Sequence, residues 1–167
     1  MMSTKDFSQV QENRISKYLG WTQVVASGAR PFYPGDIESD EWLGECKTHV
    51  DKVSKLAVSY KVWRKIKDES LSKYKFPVLF VDDGSQQIEN TWAVFDISRP
   101  CPIHEVIVVD YNNSCKSKLI LNIPVVDLKL QFKNNLDNMV CRFSLNDITL
   151  YITPLKTFAS LYDINRR

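Results

Sequence analysis

Residues 33–50 read YPGDIESDEWLGECKTHV, and the rest of the chain is best understood outward from them. Pro34-Gly35 punctuates the chain, because proline fixes φ and glycine tolerates turn conformations closed to other residues. Asp36-Ile37 then opens a strand, Ser39-Asp40-Glu41 suits a hairpin tip, and residues 42–48 return as the next strand. Side chains two apart on a strand share a face, roughly 7 Å apart along it. Glu45 and Lys47 therefore point one way, and Trp42, Gly44 and Cys46 the other. On the partner strand, Asp36 is expected to lie alongside Glu45.

Two carboxylates so placed repel unless a cation sits between them. Magnesium suits the position, since it takes oxygen ligands and is usually held by one or two carboxylates, several waters and substrate phosphate. The backbone carbonyl of Cys46 offers a third oxygen. Lys47 would stand where an ammonium can orient an attacking water and offset charge on a phosphodiester. Asp36, Glu45 and Lys47 are thus parts for metal-dependent phosphodiester hydrolysis. The plain alternative for Glu45 and Lys47 is a surface ion pair, worth about 0–1 kcal/mol.

Upstream, residues 4–19 read as an amphipathic helix with Phe7, Val10, Ile15, Tyr18 and Leu19 on one face and Gly20 at its end. Glu12 projects only about 20° from Leu19 on the helical wheel, at the rim of the buried face. A short strand over 22–26 and a Ser-Gly turn follow. Downstream, residues 54–75 read as a helix carrying Val58, Val62, Ile66 and Leu71, stopped by Pro77, and PVLFVDDG as a buried strand. Helix, three strands, helix and strand make a mixed α/β layer. After Asn90 the segments WAVFDI, HEVIVVD, KLILNI, DLKLQF, MVCRFSL and ITLYITP read as β-rich, with a short helix over 155–162. No internal repeat stands out.

At 167 residues and 44% hydrophobic content, the chain is long enough for one domain with a sizeable core. No apolar run approaches the roughly 18 residues of a membrane helix, and MMSTKDFSQV lacks a signal-peptide core, so a cytoplasmic protein without membrane contact is expected. Cys46, Cys101, Cys115 and Cys141 lack paired spacing and read as reduced, packed thiols. The net charge of +2 is mild, but nine Lys or Arg stand against three acids between Lys47 and Lys75. That stretch is a candidate phosphate-facing surface; the plain reading is a solvated helix face.

With Pro34-Gly35-Asp36 and Glu45-Cys46-Lys47, the chain resembles the PD-(D/E)xK nuclease superfamily. The run Glu12, Lys17-Tyr18-Leu19-Gly20, Ser27-Gly28, Gly35-Asp36 and Glu45-Cys46-Lys47 more narrowly resembles archaeal Holliday-junction resolvases and their phage-encoded relatives. The likeness spans roughly residues 8–98, and 148–158 resembles the closing strand and helix of the phage relatives. It implies an α/β, restriction-endonuclease-like core over 1–98 and a β-rich insertion or extension over 99–146. Residues 147–167 then supply the closing strand and helix, or belong to the extension. It implies a magnesium-dependent DNA endonuclease, with manganese able to substitute, acting on branched DNA as a homodimer in a host cytoplasm. Asp36 and Glu45 are then direct metal ligands, and Lys47 activates water or stabilises the transition state. Glu12 ligates directly or through water, and Asn13 or Arg14 and Ser27 contact the scissile-strand phosphate. Arg30 is a further DNA contact that no motif position fixes. The competing readings are a flap, nicking or restriction-like nuclease, and a non-catalytic DNA-binding or assembly protein.

Overall fold

A computed structural model of the chain describes residues 2–25, 34–111, 118–134 and 137–164. It is a mixed α/β fold in which helices cover both faces of one large sheet. Helix α1 (Thr4–Leu19) begins with a capping box, in which the Ser3 hydroxyl accepts the Asp6 N–H and the Asp6 carboxylate accepts the Ser3 N–H. It ends at Gly20, whose φ of 69° closes the helix in the left-handed region. Three antiparallel strands follow: β1 (Thr22–Gln23), β2 (Ile37–Glu38) and β3 (Trp42–Lys47).

The chain then departs from its sequence reading. Residues 55–59 are not the first turn of a helix but a strand, β4 (Lys55–Ser59), and helix α2 (Tyr60–Ser72) starts only after it. Leu56 and Val58 are fully buried while Lys55 and Ala57 are exposed, a period of two. The strand's partner is β8 (Ile120–Pro124), whose Leu121 and Ile123 close over the same core. Ser59 marks the switch, because its hydroxyl accepts the Val62 N–H and caps α2. The helix stops at Ser72, before Tyr74 at φ 57°, and Pro77 lies inside β5 (Phe76–Asp82).

β5 runs parallel to β3, with Glu45 opposite Leu79 and Lys47 opposite Val81. Its residues from Pro77 to Asp82 are all buried, as a strand covered on both faces requires. Next come β6 (Thr91–Phe95), β7 (Ile107–Asp110), β8, helix α3 (Val125–Gln131), β9 (Met139–Leu145), β10 (Ile148–Pro154) and helix α4 (Leu155–Leu161). The eight-stranded sheet has the order β1-β2-β3-β5-β6-β10-β9-β7, and β4 and β8 form a separate two-stranded sheet. DLKLQF, read as β-rich, is mostly α3. It follows β8 directly at Pro124, with Val125, Leu128 and Phe132 in the core at helical spacing. The same strand–Pro–helix join recurs at Pro154, where β10 passes into α4.

The strands between 99 and 146 are divided between the two sheets. β7 and β9 extend the large sheet beyond β10, while β8 returns to pair with β4 next to α2. Alternation along the strands sends Leu79, Val81, Trp92, Val94, Leu150 and Ile152 to the core beneath α2, α3 and the β4–β8 pair. Val78, Phe80, Ala93 and Phe95 go to the opposite core beneath α1 and α4. No helix among the described residues is long and apolar enough to cross a membrane.

Candidate active site

The hairpin geometry begins at Gly35. Its φ is +71°, and a Cβ there would fall 2.7 Å from Leu43 Cδ1, so glycine suits this turn on both counts. The Asp36 N–H donates to the Gly44 carbonyl at 2.8 Å, and the Asp36 carbonyl accepts the Val24 N–H at 2.9 Å. Ile37 faces Gly44 across the ladder, so Asp36 falls opposite Glu45. Asp36 Oδ2 also accepts the Cys46 N–H at 2.7 Å, tying the two strands at the site. Within a strand the N–H and C=O of one residue face the same neighbour, so the Cys46 carbonyl points to this same edge.

Glu45 is only 4% exposed, yet Lys47 Nζ donates to its Oε1 at 2.6 Å. The Lys47 side chain remains 49% exposed, so the ammonium stands between a buried carboxylate and solvent. Burial alone would lower the Lys47 pKa, but the hydrogen bond and charge of Glu45, then the charge of Asp36, raise it. Asp36 is raised from its ordinary value by burial and then by Glu45, against the Cys46 hydrogen bond and the charges of Lys47 and Lys65. Glu12 is half-buried and pushed up to about 7, first by burial and then by the charges of Asp36 and Glu45. Glu12 and Asp36 both feel the charge of Glu45, so the three acids share one electrostatic field with Lys47.

Does this donor set fit magnesium? Among the described residues no three His, Cys, Asp or Glu side chains group as metal ligands. The arrangement that fits is smaller: carboxylates of Asp36 and Glu45 with the Cys46 carbonyl, all hard oxygens, leaving positions for water and substrate. Glu12 is outside that direct set and could act on it through water.

The remaining expected contacts fall differently. Arg14 turns inward, and its side chain, 15% exposed, forms a 2.7 Å ion pair with the buried Asp82. Asp82 also accepts the Thr48 hydroxyl at 2.6 Å, so Arg14 ties α1 to the ends of β3 and β5. Asn13 is exposed, and its side-chain amide oxygen accepts from Gln9 and Gln23. Ser27 and Arg30 lie outside the described residues. The basic stretch divides: Lys67 pairs with Asp96, and Lys73 and Lys75 both pair with Glu38. Lys61, Arg64 and Lys65 are exposed at helical spacing on α2. Cys46, Cys101 and Cys141 are free thiols.

Three residues near the site escaped the sequence reading. Gln11 is fully buried, and its amide donates to the Lys47 carbonyl at 2.8 Å, fixing α1 against the end of β3. Lys65 Nζ lies 3.9 Å from Glu45 Oε1 and 3.7 Å from Glu69 Oε1. Glu69 Oε2 accepts the Gly35 N–H at 3.0 Å. Lys65 and Glu69 had one signal, the i,i+4 spacing of opposite charges. Gln11 had none.

The Glu12 shift has a consequence for stability. A carboxyl whose folded pKa exceeds its unfolded value binds its proton more tightly when folded. Its contribution is present below 4.5 and is lost as pH rises through about 7. Glu12→Gln is expected to flatten that slope and to raise the thermal midpoint above pH 7, measured in chelator. An unchanged slope in the variant would remove Glu12 from the shared field.

Compared with known proteins, the chain matches no family model, no curated protein and no solved structure.

Proposed function

We propose that this chain is a magnesium-dependent DNA endonuclease of the PD-(D/E)xK type, with a restriction-endonuclease-like core, acting on branched DNA. The observation that carries the reading is the meeting of Asp36, Glu45 and Lys47 at one end of β2 and β3, within the electrostatic field of Glu12. Apart from the added strand β4, the order α1, β1-β2-β3, α2 and β5 is the order of helix, strand, hairpin, basic helix and buried strand that the resemblance implies, and this supports the reading.

Asp36, Glu45 and the Cys46 carbonyl would hold the cation. Magnesium bound there would supply Lewis-acid polarisation of the phosphodiester and ease proton loss from the attacking water. Lys47 stays protonated at neutral pH and donates to the water or to a non-bridging oxygen, offsetting charge as the phosphorus–oxygen bond to the leaving group breaks. Glu12 accepts a hydrogen bond from water at the rim. The exposed cations Lys61, Arg64 and Lys65 lie on the helix beside the site and suit backbone phosphates. A second copy of the chain would supply the second of two cuts across a junction.

The test is cleavage of labelled four-way junction, flap, plain duplex and single strand, each with magnesium and again with manganese. Paired symmetric nicks confined to the junction are expected. Cutting of flap or duplex as well would keep the chemistry and reject the junction preference. No cutting anywhere, with specific complexes still forming, would replace the enzyme by a DNA-binding protein.

A further inference from the structure

We infer that Glu69 is a positioning residue: it sets Asp36 for cation binding by gripping the backbone one residue upstream. The inference rests on the nuclease reading and adds a residue to it. Asp36 is the first residue of the hairpin ladder, since its N–H already bonds Gly44. Gly35 precedes the ladder, and the N–H it carries donates instead to Glu69 Oε2 at 3.0 Å. On its other side Gly35 is wedged against Leu43 and the Gly44 carbonyl, where a Cβ would come within 2.7 and 3.2 Å. The turn that aims Asp36 is therefore held between β3 and one side chain of α2.

The same helix face reaches the second carboxylate. Lys65, one turn before Glu69, lies 3.7 Å from Glu69 Oε1 and 3.9 Å from Glu45 Oε1. The contacts close a ring: Glu69 to Gly35, Asp36 to Cys46, Glu45 to Lys65, and Lys65 back to Glu69. Within it, the 3.0 Å bond to Gly35 is shorter than either Lys65 contact. On this inference, reach to the backbone, more than charge, is what Glu69 contributes. An ordinary helix-surface ion pair predicts the reverse.

Two substitutions in the full chain separate reach from charge. Glu69→Gln keeps an oxygen at the same distance and removes the charge, whereas Glu69→Asp keeps the charge and shortens the arm. Manganese affinity, read from the free-ion electron paramagnetic resonance signal, is measured beside magnesium-dependent cleavage and the thermal midpoint. Glu69→Asp is expected to weaken manganese binding on the order of tenfold, with Glu69→Gln within about threefold of wild type. The opposite ranking, or both variants equal to wild type, overturns the positioning role and leaves the nuclease reading intact. A wild type that neither binds manganese nor cleaves DNA overturns both.

Discussion

Asp36→Asn and Lys47→Ala are each expected to remove magnesium-dependent cleavage while leaving the chain folded and still able to bind DNA. Asparagine has nearly the shape of aspartate, and its carbonyl oxygen can go on accepting the Cys46 N–H that ties β2 to β3. In the proposed role, what it loses is the negative charge that would draw a hard cation between Asp36 and Glu45. Lys47→Ala acts on the other component. It deletes the ammonium bonded to Glu45 at 2.6 Å and leaves Lys65, at 3.9 Å, as the nearer cation. Loss of a preorganised donor of this kind costs about 10²–10³ in turnover, and in the proposed role the loss of the Asp36 charge is expected to abolish cleavage outright. Single-turnover cleavage and gel-shift binding, with circular dichroism as the check on folding, measure both. Either variant cutting at the wild-type rate would remove this hairpin from the chemistry.

Phe158→Ala is expected to destabilise the fold by about 3–5 kcal/mol, the range for emptying a buried aromatic site. Phe158 is fully buried on α4, with ring centroids 5.1 Å from Trp42, 5.9 Å from Phe80, 5.4 Å from Phe95 and 5.3 Å from Tyr162. Those partners come from β3, β5, β6 and the segment after α4, so one ring ties the carboxyl-terminal helix to the strand carrying Glu45 and Lys47. Urea denaturation should show one cooperative transition at a lower midpoint with an unchanged slope. Two separated transitions would mean that the carboxyl-terminal segments fold as a unit of their own. Phe158→Leu, which leaves a smaller hole, should cost less.

How the site and the fold could be read from sequence differs from residue to residue. The hairpin was legible because each of its signals is local: Pro34-Gly35 for the turn, two-residue alternation for the strand, and a direct register that sets Asp36 opposite Glu45. Helix α1 was legible for the same reason, from its apolar periodicity and its stop at Gly20. Its buried face was legible only in part. Ile15 and Leu19 are buried as expected, but Phe7, Val10 and Tyr18 are half-buried, and polar Gln11 and Ser16 take buried positions. Periodicity marks the apolar stripe but cannot say where a polar side chain will find a partner across the fold.

The misread elements share one physical cause. Val58 fits the helical series of Val62 and Ile66 as well as the strand alternation with Leu56, and the matching apolar pair of β8 sits far along the chain. Strand pairing supplies hydrogen bonds and a covered face that a short window cannot anticipate. DLKLQF fails in the opposite sense: its alternating leucines suggest a strand, but Pro124 ends β8 and the core takes Val125, Leu128 and Phe132 from a helix. Arg14 is a case of electrostatics. Helical position places it near the site, but the buried Asp82, contributed by β5, pulls it inward and away from solvent.

By itself the sequence determined the pieces whose cause lies within a few residues: the extent of α1, the turn at Gly35, the hairpin with Asp36, Glu45 and Lys47, the buried run of β5 and the short helix α4. The tertiary structure decided what depends on a partner distant in the chain. It made β4 a strand, spread residues 99–146 over two sheets, turned Arg14 inward, and brought Gln11, Lys65 and Glu69 to the hairpin. Turns, caps and periodicity arise from steric limits and hydrogen bonds within a few neighbouring residues, so a short window contains them. Burial and ion pairing are set by which surfaces meet when the chain folds, and no local window contains that.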